Sequence, residues 1–302
     1  MHVIELDQTE STSLLARAML NNGELQGATL ICARTQAGGV GRHGRRWHSP
    51  VGGLWCTLAW PVPHATGALA MSNWTRTLGL RVGWACLDAI VATCGGGNAE
   101  TGARTRLVLK LPNDVLIARE PDRGADGRGS SAEAGLGDKV CGVLTELVMP
   151  ATTSSQAGDA TTGGTPPAPG PARAQQAWCL VGVGINANVP AQELPTGLGY
   201  RATSLLAQGY GPVDLVALRA RLADRLIEAL EAQTLTEPMR LLIEPRLAGL
   251  GTTIEAEDAG VLIRGSLSGL GPEGDVLVLV DGEPEPRSLS PGAQVRWPVG
   301  AA

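Results

Sequence analysis

Apolar and polar positions divide the chain into short apolar runs, helical repeats and stretches with no large apolar residue. His2 to Leu6 alternates as a strand does. Leu14, Leu15 and Met19 then recur at helical spacing behind Ser11 and Thr12, either of which suits an N-cap, and Asn21-Asn22-Gly23 ends that helix. Apolar runs at 28–34, 54–60, 107–110, 115–118, 139–149 and 178–189 predict strands. Leu78, Val82, Leu87, Ile90 and Val91 predict a helix over 71–94, stopped by Gly95-Gly96-Gly97. The most regular helix spans 214–231, with Leu215, Leu218, Leu222, Leu226 and Leu230 on one face. Thr236 caps a shorter helix that Pro245 interrupts. Beyond Gly251 the pattern changes to β-like runs at 253–256, 261–266, 275–280 and 295–298, as in a small antiparallel barrel.

Two stretches carry no such pattern. The polar, Gly-rich 119–137 and the segment 150–177, which lacks large apolar residues, read as inserted disordered loops. The 302 residues are comfortable for one large and one small domain, divided here as 1–248 and 249–302. A formal net charge of −5 argues against binding a polyanion. The six cysteines, at 32, 56, 86, 94, 141 and 179, include no C-x-x-C pair and read as reduced core thiols. Trp55, Trp60 and Trp84 read as core bulk in a chain without Phe. The start, MHVIELDQTE, has neither a basic leader nor an apolar core, and no run approaches the roughly 18 apolar residues of a membrane span, so a cytoplasmic protein is expected.

Candidate chemistry concentrates in three places. In QAGGVGRHGRRWHSP, at 36–50, Gly38, Gly39, Gly41 and Gly44 let the backbone approach a ligand, and Arg42, Arg45 and Arg46 bring forked donors suited to anions. That segment reads either as a solvated loop or as an anion-binding one, pinned at its far end by Trp47 and the run from Leu54. Next, Pro112-Asn113-Asp114 has the composition of a turn, yet also offers hard oxygens for a divalent cation beside Lys110, which suits phosphate. Finally, Lys139 stands at the mouth of a buried strand, and Gly182 and Gly184 either admit a ligand or mark bulges.

Five segments in order, ESTS at 10–13, QAGGVGRHGRRWHSPVGGLW at 36–55, KLPNDV at 110–115, DKVCGVLTEL at 138–147 and VGVGINANV at 181–189, resemble the biotin–protein ligases. The chain departs from the family pattern at Ser13, Val40 and Leu111, where Asn, Arg and Trp are usual. The resemblance implies an α+β fold, a mixed sheet flanked by helices as in class II synthetases, followed by an SH3-like barrel. It implies that Ser11, Thr12, Ser13, Gln36, Gly39, Val40, Gly41, Arg42, Lys139, Gly142 and Gly182 bind biotin. ATP or the adenylate falls to Arg42, Arg45, Trp47, Lys110, Asn113 and Asn186, and Mg²⁺ to Asn113, Asp114 and Asn186. Arg42, Lys110 and Lys139 carry the catalysis. The implied partner is a biotin carboxyl carrier domain, and the implied state a monomer or weak homodimer. With no room for a helix-turn-helix ahead of His2, direct DNA binding is not expected.

Charge accounting fits this set of residues. Bringing the biotin carboxylate to the α-phosphate of ATP joins two anions, and the carboxylate is already ionised at neutral pH, so the site needs cations and not a general base. The resulting biotinyl-5′-AMP would be enclosed under the Gly/Arg segment until a carrier lysine attacks it. An octanoyl or lipoyl transferase is an alternative, because Cys141 lies two residues along the strand from Lys139 and would share its face. A non-catalytic biotin-binding regulator is another, for which Val40 and Ser13 leave room.

Overall fold

The computed structural model describes residues 1–62, 68–95, 106–118, 136–149, 176–196, 200–290 and 293–298. The expected insertions at 119–137 and 150–177 lie, apart from their ends, outside the described residues. Among these residues no helix is long and apolar enough to cross a membrane.

The chain runs through β1 (His2–Thr9), α1 (Thr12–Asn21), β2 (Thr29–Val40), β3 (Arg46–Ser49), β4 (Leu54–Pro61), α2 (Ala68–Arg76), α3 (Leu78–Cys94), β5 (Leu107–Lys110), β6 (Asp114–Ile117), β7 (Asp138–Val148), β8 (Trp178–Ile185), α4 (Leu215–Glu231) and α5 (Glu237–Ile243). The large sheet has the order β1-β2-β4-β8-β7-β6-β5, with β3 folded onto β2. Only β1 and β2 are parallel, so the sheet is mixed.

Both faces of this sheet are covered, which is why its central strands read as continuous apolar runs. Leu30, Cys32, Cys56, Leu58, Val181 and Val183 enter the core built with α3 and α4. Their neighbours Ile31, Ala59 and Leu180 face the other way, against Ala16 and Leu20 of α1. Ser11 caps α1 by accepting from Leu14 N, and Asp214 caps α4 by accepting from Val216 and Ala217 N–H groups.

The single helix predicted over 71–94 is two helices, broken at Thr77. Arg81, fully buried, explains how the break is tolerated. Its guanidinium donates to Thr77 Oγ1 (3.1 Å), Trp74 O (2.6 Å), Ala232 O (2.6 Å) and Ala229 O, satisfying carbonyls at the ends of α2 and α4. Burial pushes its pKa down to about 10.

The carboxy-terminal region forms a second sheet from β9 (Thr253–Asp258), β10 (Val261–Leu270), β11 (Val276–Leu279), β12 (Arg287–Ser288) and β13 (Gln294–Arg296), in the order β12-β11-β10-β9-β13, antiparallel throughout. Ala259 and Gly260, both at positive φ, join β9 to β10 as the two-residue turn that matches strand twist. Among the described residues β12 and β13 do not pair, so no closed barrel is formed there, and the five-stranded antiparallel sheet is consistent with the expected SH3-like domain. The carboxy-terminal region packs against α2 and, through the connector, against β5. Arg76 reaches Glu273 (2.8 Å) and Asp275 (3.2 Å), and Ala248 N donates to Leu109 O (2.9 Å) in β5.

Candidate active site

The 36–50 segment is more ordered than its glycines suggest. β2 continues through Val40 and pairs with β3, leaving only Arg42–Gly44 as a 3-10 turn between them. The predicted loop is thus a hairpin. Gly39 belongs to its structure, since a Cβ there would come within 2.6 Å of Trp47 O, and Gly39 is not among the residues lining the cleft. Arg46 likewise closes the hairpin, donating to Ala37 O (2.6 Å).

The cleft beneath the hairpin encloses about 750 Å³, within the usual range for small-ligand sites. One end is a chain of neutral hydrogen bonds. Gln36 Nε2 donates to Ser49 Oγ (2.8 Å), and Gln36 Oε1 accepts from Thr12 N (2.8 Å) and Thr12 Oγ1 (3.1 Å). Thr12 and Ser13 hydroxyls then share Thr57 Oγ1, at 2.8 and 3.0 Å. All but Gln36 are buried, at the N-terminus of α1 and on β3 and β4. Sequence reasoning did not single out Thr57, although one hydroxyl in the apolar run LWCTLAW was a visible signal.

The floor is glycine. A Cβ on Gly182 would stand 2.7 Å from Ser13 Oγ, and one on Gly184 would stand 2.5 Å from Trp47 Nε1. Gly142 continues the floor, where a Cβ would meet the Trp47 ring at 2.8 Å. Trp47 therefore packs against Gly142 and Gly184, its Nε1 buried without a hydrogen-bond partner.

The opposite end is charged. Lys139 Nζ lies 2.8 Å from Asp114 Oδ2, with both side chains largely buried, and Arg42 approaches the same oxygen at 3.8 Å. Two rings flank the Lys139 ammonium, Trp47 at 5.2 Å and Tyr200 at 4.9 Å. Tyr200 arrives because Lys139 N donates to Arg201 O (2.8 Å) and Thr203 N donates to Lys139 O (2.9 Å), which lays that segment along the start of β7. Burial, then the Asp114 charge, push its hydroxyl pKa up. Tyr200 was also not anticipated, because no local pattern marks a contact sixty-one residues from its partner. Val40, Gly41, Arg45 and Lys110 line the cleft as well.

The expected cation ligands separate. Asp114 and Asn113 line the cleft; Asn113 Nδ2 donates to Val143 O (2.6 Å), and its Oδ1 is buried with no partner. Asn186 is not among the lining residues; its amide donates to Thr203 O (2.8 Å), tying down the segment that carries Tyr200. Among the described residues no group of three or more His, Cys, Asp or Glu could hold a metal. One carboxylate and one orphaned amide oxygen fit a Mg²⁺ that enters with phosphates, not a preformed all-protein cage.

Cys141 does not share the face of Lys139. The pairing of β6 with β7 slips between Val115 and Leu116, so Val140 and Cys141 both enter the core, and Cys141 is 0% exposed. A bulge adds one residue and flips the alternation that follows it. Cys56 does line the cleft, but its hydrogen bond with Cys32, and then burial, push its thiol pKa well up.

The biotin/lipoate A/B protein ligase family model matches residues 5–157. The chain is 26% identical over 286 residues to the bifunctional ligase/repressor BirA of Bacillus spizizenii, covering 92% of this chain and 69% of that protein. It is 30% identical over 228 residues to a biotin–[acetyl-CoA-carboxylase] ligase of Mycobacterium tuberculosis, covering 75% of this chain and 61% of that one. In fold it is similar to the biotin protein ligase of Aquifex aeolicus solved with biotin and ATP, with a TM-score of 0.65, 22% identity and 98% of each chain covered. On the match across half its length, this chain belongs to the biotin/lipoate A/B protein ligase family.

Proposed function

We propose that the protein is an ATP-dependent biotin–protein ligase, which activates biotin to biotinyl-5′-AMP with release of pyrophosphate and passes biotin to a lysine of a carrier domain. The observation that carries this reading is the polarity of the cleft, neutral and hydrogen-bonded at Thr12, Ser13 and Gln36, with Thr57 buried behind them, and cationic at Arg42, Lys110 and Lys139. A ureido ring is neutral and a carboxylate is not, so a molecule bearing both at opposite ends matches the two halves. Relatives named as biotin–[acetyl-CoA-carboxylase] ligases support the same assignment.

In this reading Thr12, Ser13 and Gln36 hold the ring over Gly182, where the missing Cβ lets it approach the sheet. Lys139 is the cation that the biotin carboxylate and the α-phosphate share. Before they bind, Asp114 holds that ammonium in place; afterwards the two anions compete for it. Lys110 offsets phosphate charge, and Arg42, on the exposed turn of the hairpin, closes over the product. Asp114 and Asn113 Oδ1 would hold Mg²⁺, which when bound neutralises phosphate oxygens. The acceptor is an amine, and no step needs a thiol. The transferase alternative loses its nucleophile, since Cys141 is fully buried in the core.

Incubation with ATP, Mg²⁺, biotin and an acceptor domain, followed by detection of protein-bound biotin, tests the reading. Biotin-dependent pyrophosphate release and labelling of the acceptor are expected. Biotin binding without pyrophosphate release would leave a biotin-binding module in place of a ligase.

A further inference from the structure

Lys110 ends β5, where Leu111-Pro112-Asn113 turns the chain into β6, and it lines the cleft. Its ammonium stands 5.5 Å from the centroid of the Trp297 indole, a ring contributed by the carboxy-terminal sheet just after β13. Trp297 is only 6% exposed. Its position is fixed from behind, because a Cβ on Gly249 would collide with the indole Nε1. Gly249 belongs to the connector between the two sheets, and the same connector is bonded to β5: Ala248 N donates to Leu109 O (2.9 Å), and Leu247 forms a parallel bridge with Leu109. The backbone that carries Lys110 and the ring that faces its ammonium are therefore anchored by one piece of chain.

We propose that Trp297 is a positioning residue for Lys110, so that the carboxy-terminal sheet helps to complete the phosphate end of the site. The inference rests on the ligase reading, which gives Lys110 its task. An aromatic face attracts an ammonium through its quadrupole without cancelling its charge, as a carboxylate would. The ring thereby removes part of the Lys110 rotamer freedom that binding would otherwise have to remove. Arg76 pairs with Asp275, and both line the same cleft.

A double-mutant cycle on biotin-dependent pyrophosphate release tests this, using Trp297→Leu, Lys110→Met and the pair. Trp297→Leu should lower kcat/KM for ATP on the order of tenfold, with Trp297→Phe recovering most of the loss because it keeps a π face. In the Lys110→Met background Trp297→Leu should cost nothing further. An equal loss in both backgrounds, or no recovery with Trp297→Phe, would reduce the ring to packing and overturn the proposal. Should Trp297→Leu not fold, Trp297→Met keeps bulk without a π face and faces the same two outcomes. The same cycle read by ATP binding, as the shift in melting temperature, needs no turnover. A parent protein that binds ATP but releases no pyrophosphate would sink the ligase reading, while the coupling between Lys110 and Trp297 is still decided by binding.

Discussion

Thr12, Ser13 and Gln36 close one end of the cleft with neutral side chains, hydrogen-bonded to one another and to the buried Ser49 and Thr57, whereas Arg42, Lys110 and Lys139 close the other with charges from three separate segments. The neutral end can be built compactly. Each buried hydroxyl finds its partner on an adjacent strand or at a helix N-terminus, and leaving one unpaired costs about 1–3 kcal/mol. The cationic end cannot be built that way, because like charges repel and each needs its own surroundings. Lys139 has Asp114 and two rings, Lys110 faces Trp297, and Arg42 stays partly in solvent, its side chain 37% exposed. The neutral end draws on the start of α1 and the neighbouring strands β2, β3 and β4, whereas the cationic end draws on β5, β7 and the hairpin turn, further apart in the chain.

The largest effect should come from the cationic end. Lys139→Ala is expected to slow adenylate formation on the order of 10²-fold or more, the scale for losing a preorganised charge-stabilising group. It also strands Asp114, whose side chain is 9% exposed, so the melting temperature should fall as well. Pyrophosphate release at the parental rate would reduce Lys139 to a strand end.

At the neutral end, Thr57→Val keeps shape and removes the oxygen shared by Thr12 and Ser13. Affinity for biotin should weaken on the order of tenfold, with KM for ATP nearly unchanged. An equal change in both constants would break the comparison, because the two ends would then be coupled. Arg42→Gly should have a smaller effect on the rate, since Lys110 and Lys139 still neutralise the reacting oxygens. Its signature is leakage, with roughly tenfold faster loss of biotinyl-5′-AMP and labelling of unrelated lysines nearby. An adenylate retained as long as in the parent protein would count against that role.

The same contrast explains what could be read in advance. Ser11 as cap, the leucine face of α4, the antiparallel character of the second sheet and the cleft positions of Gln36, Arg42, Lys110, Asp114 and Lys139 all follow from local pattern or motif. Cys141 was misplaced because alternation assumes an unbroken strand, and the bulge opposite Val115 and Leu116 leaves no mark in composition. Tyr200 and Trp297 were missed for a different reason. A ring facing a lysine across tens or hundreds of residues is a product of packing, and no periodicity encodes it. The Gly/Arg segment was read as a loop from its glycines, yet strand pairing with β3 overrode that propensity through Val40.

The smallest effect should come from deleting 152–174, and its value is as a control on the whole comparison. Val148 and Trp178, which flank the segment, are direct partners across β7 and β8, so the ends to be joined are already adjacent. Six residues would remain between them, enough for a hairpin connection. Lys139 lies nine residues back along β7, roughly 30 Å at about 3.3 Å per residue, and Gly182 and Gly184 lie partway along β8. The deleted stretch, rich in Thr, Gly, Ala and Pro, has no large apolar side chain with which to reach a core. Biotin affinity, KM for ATP and transfer to the acceptor should all stay within about twofold of the parent. If a folded deletion variant instead lost transfer while still making the adenylate, the segment would belong to acceptor recognition, a third region of the site that neither end of the cleft supplies.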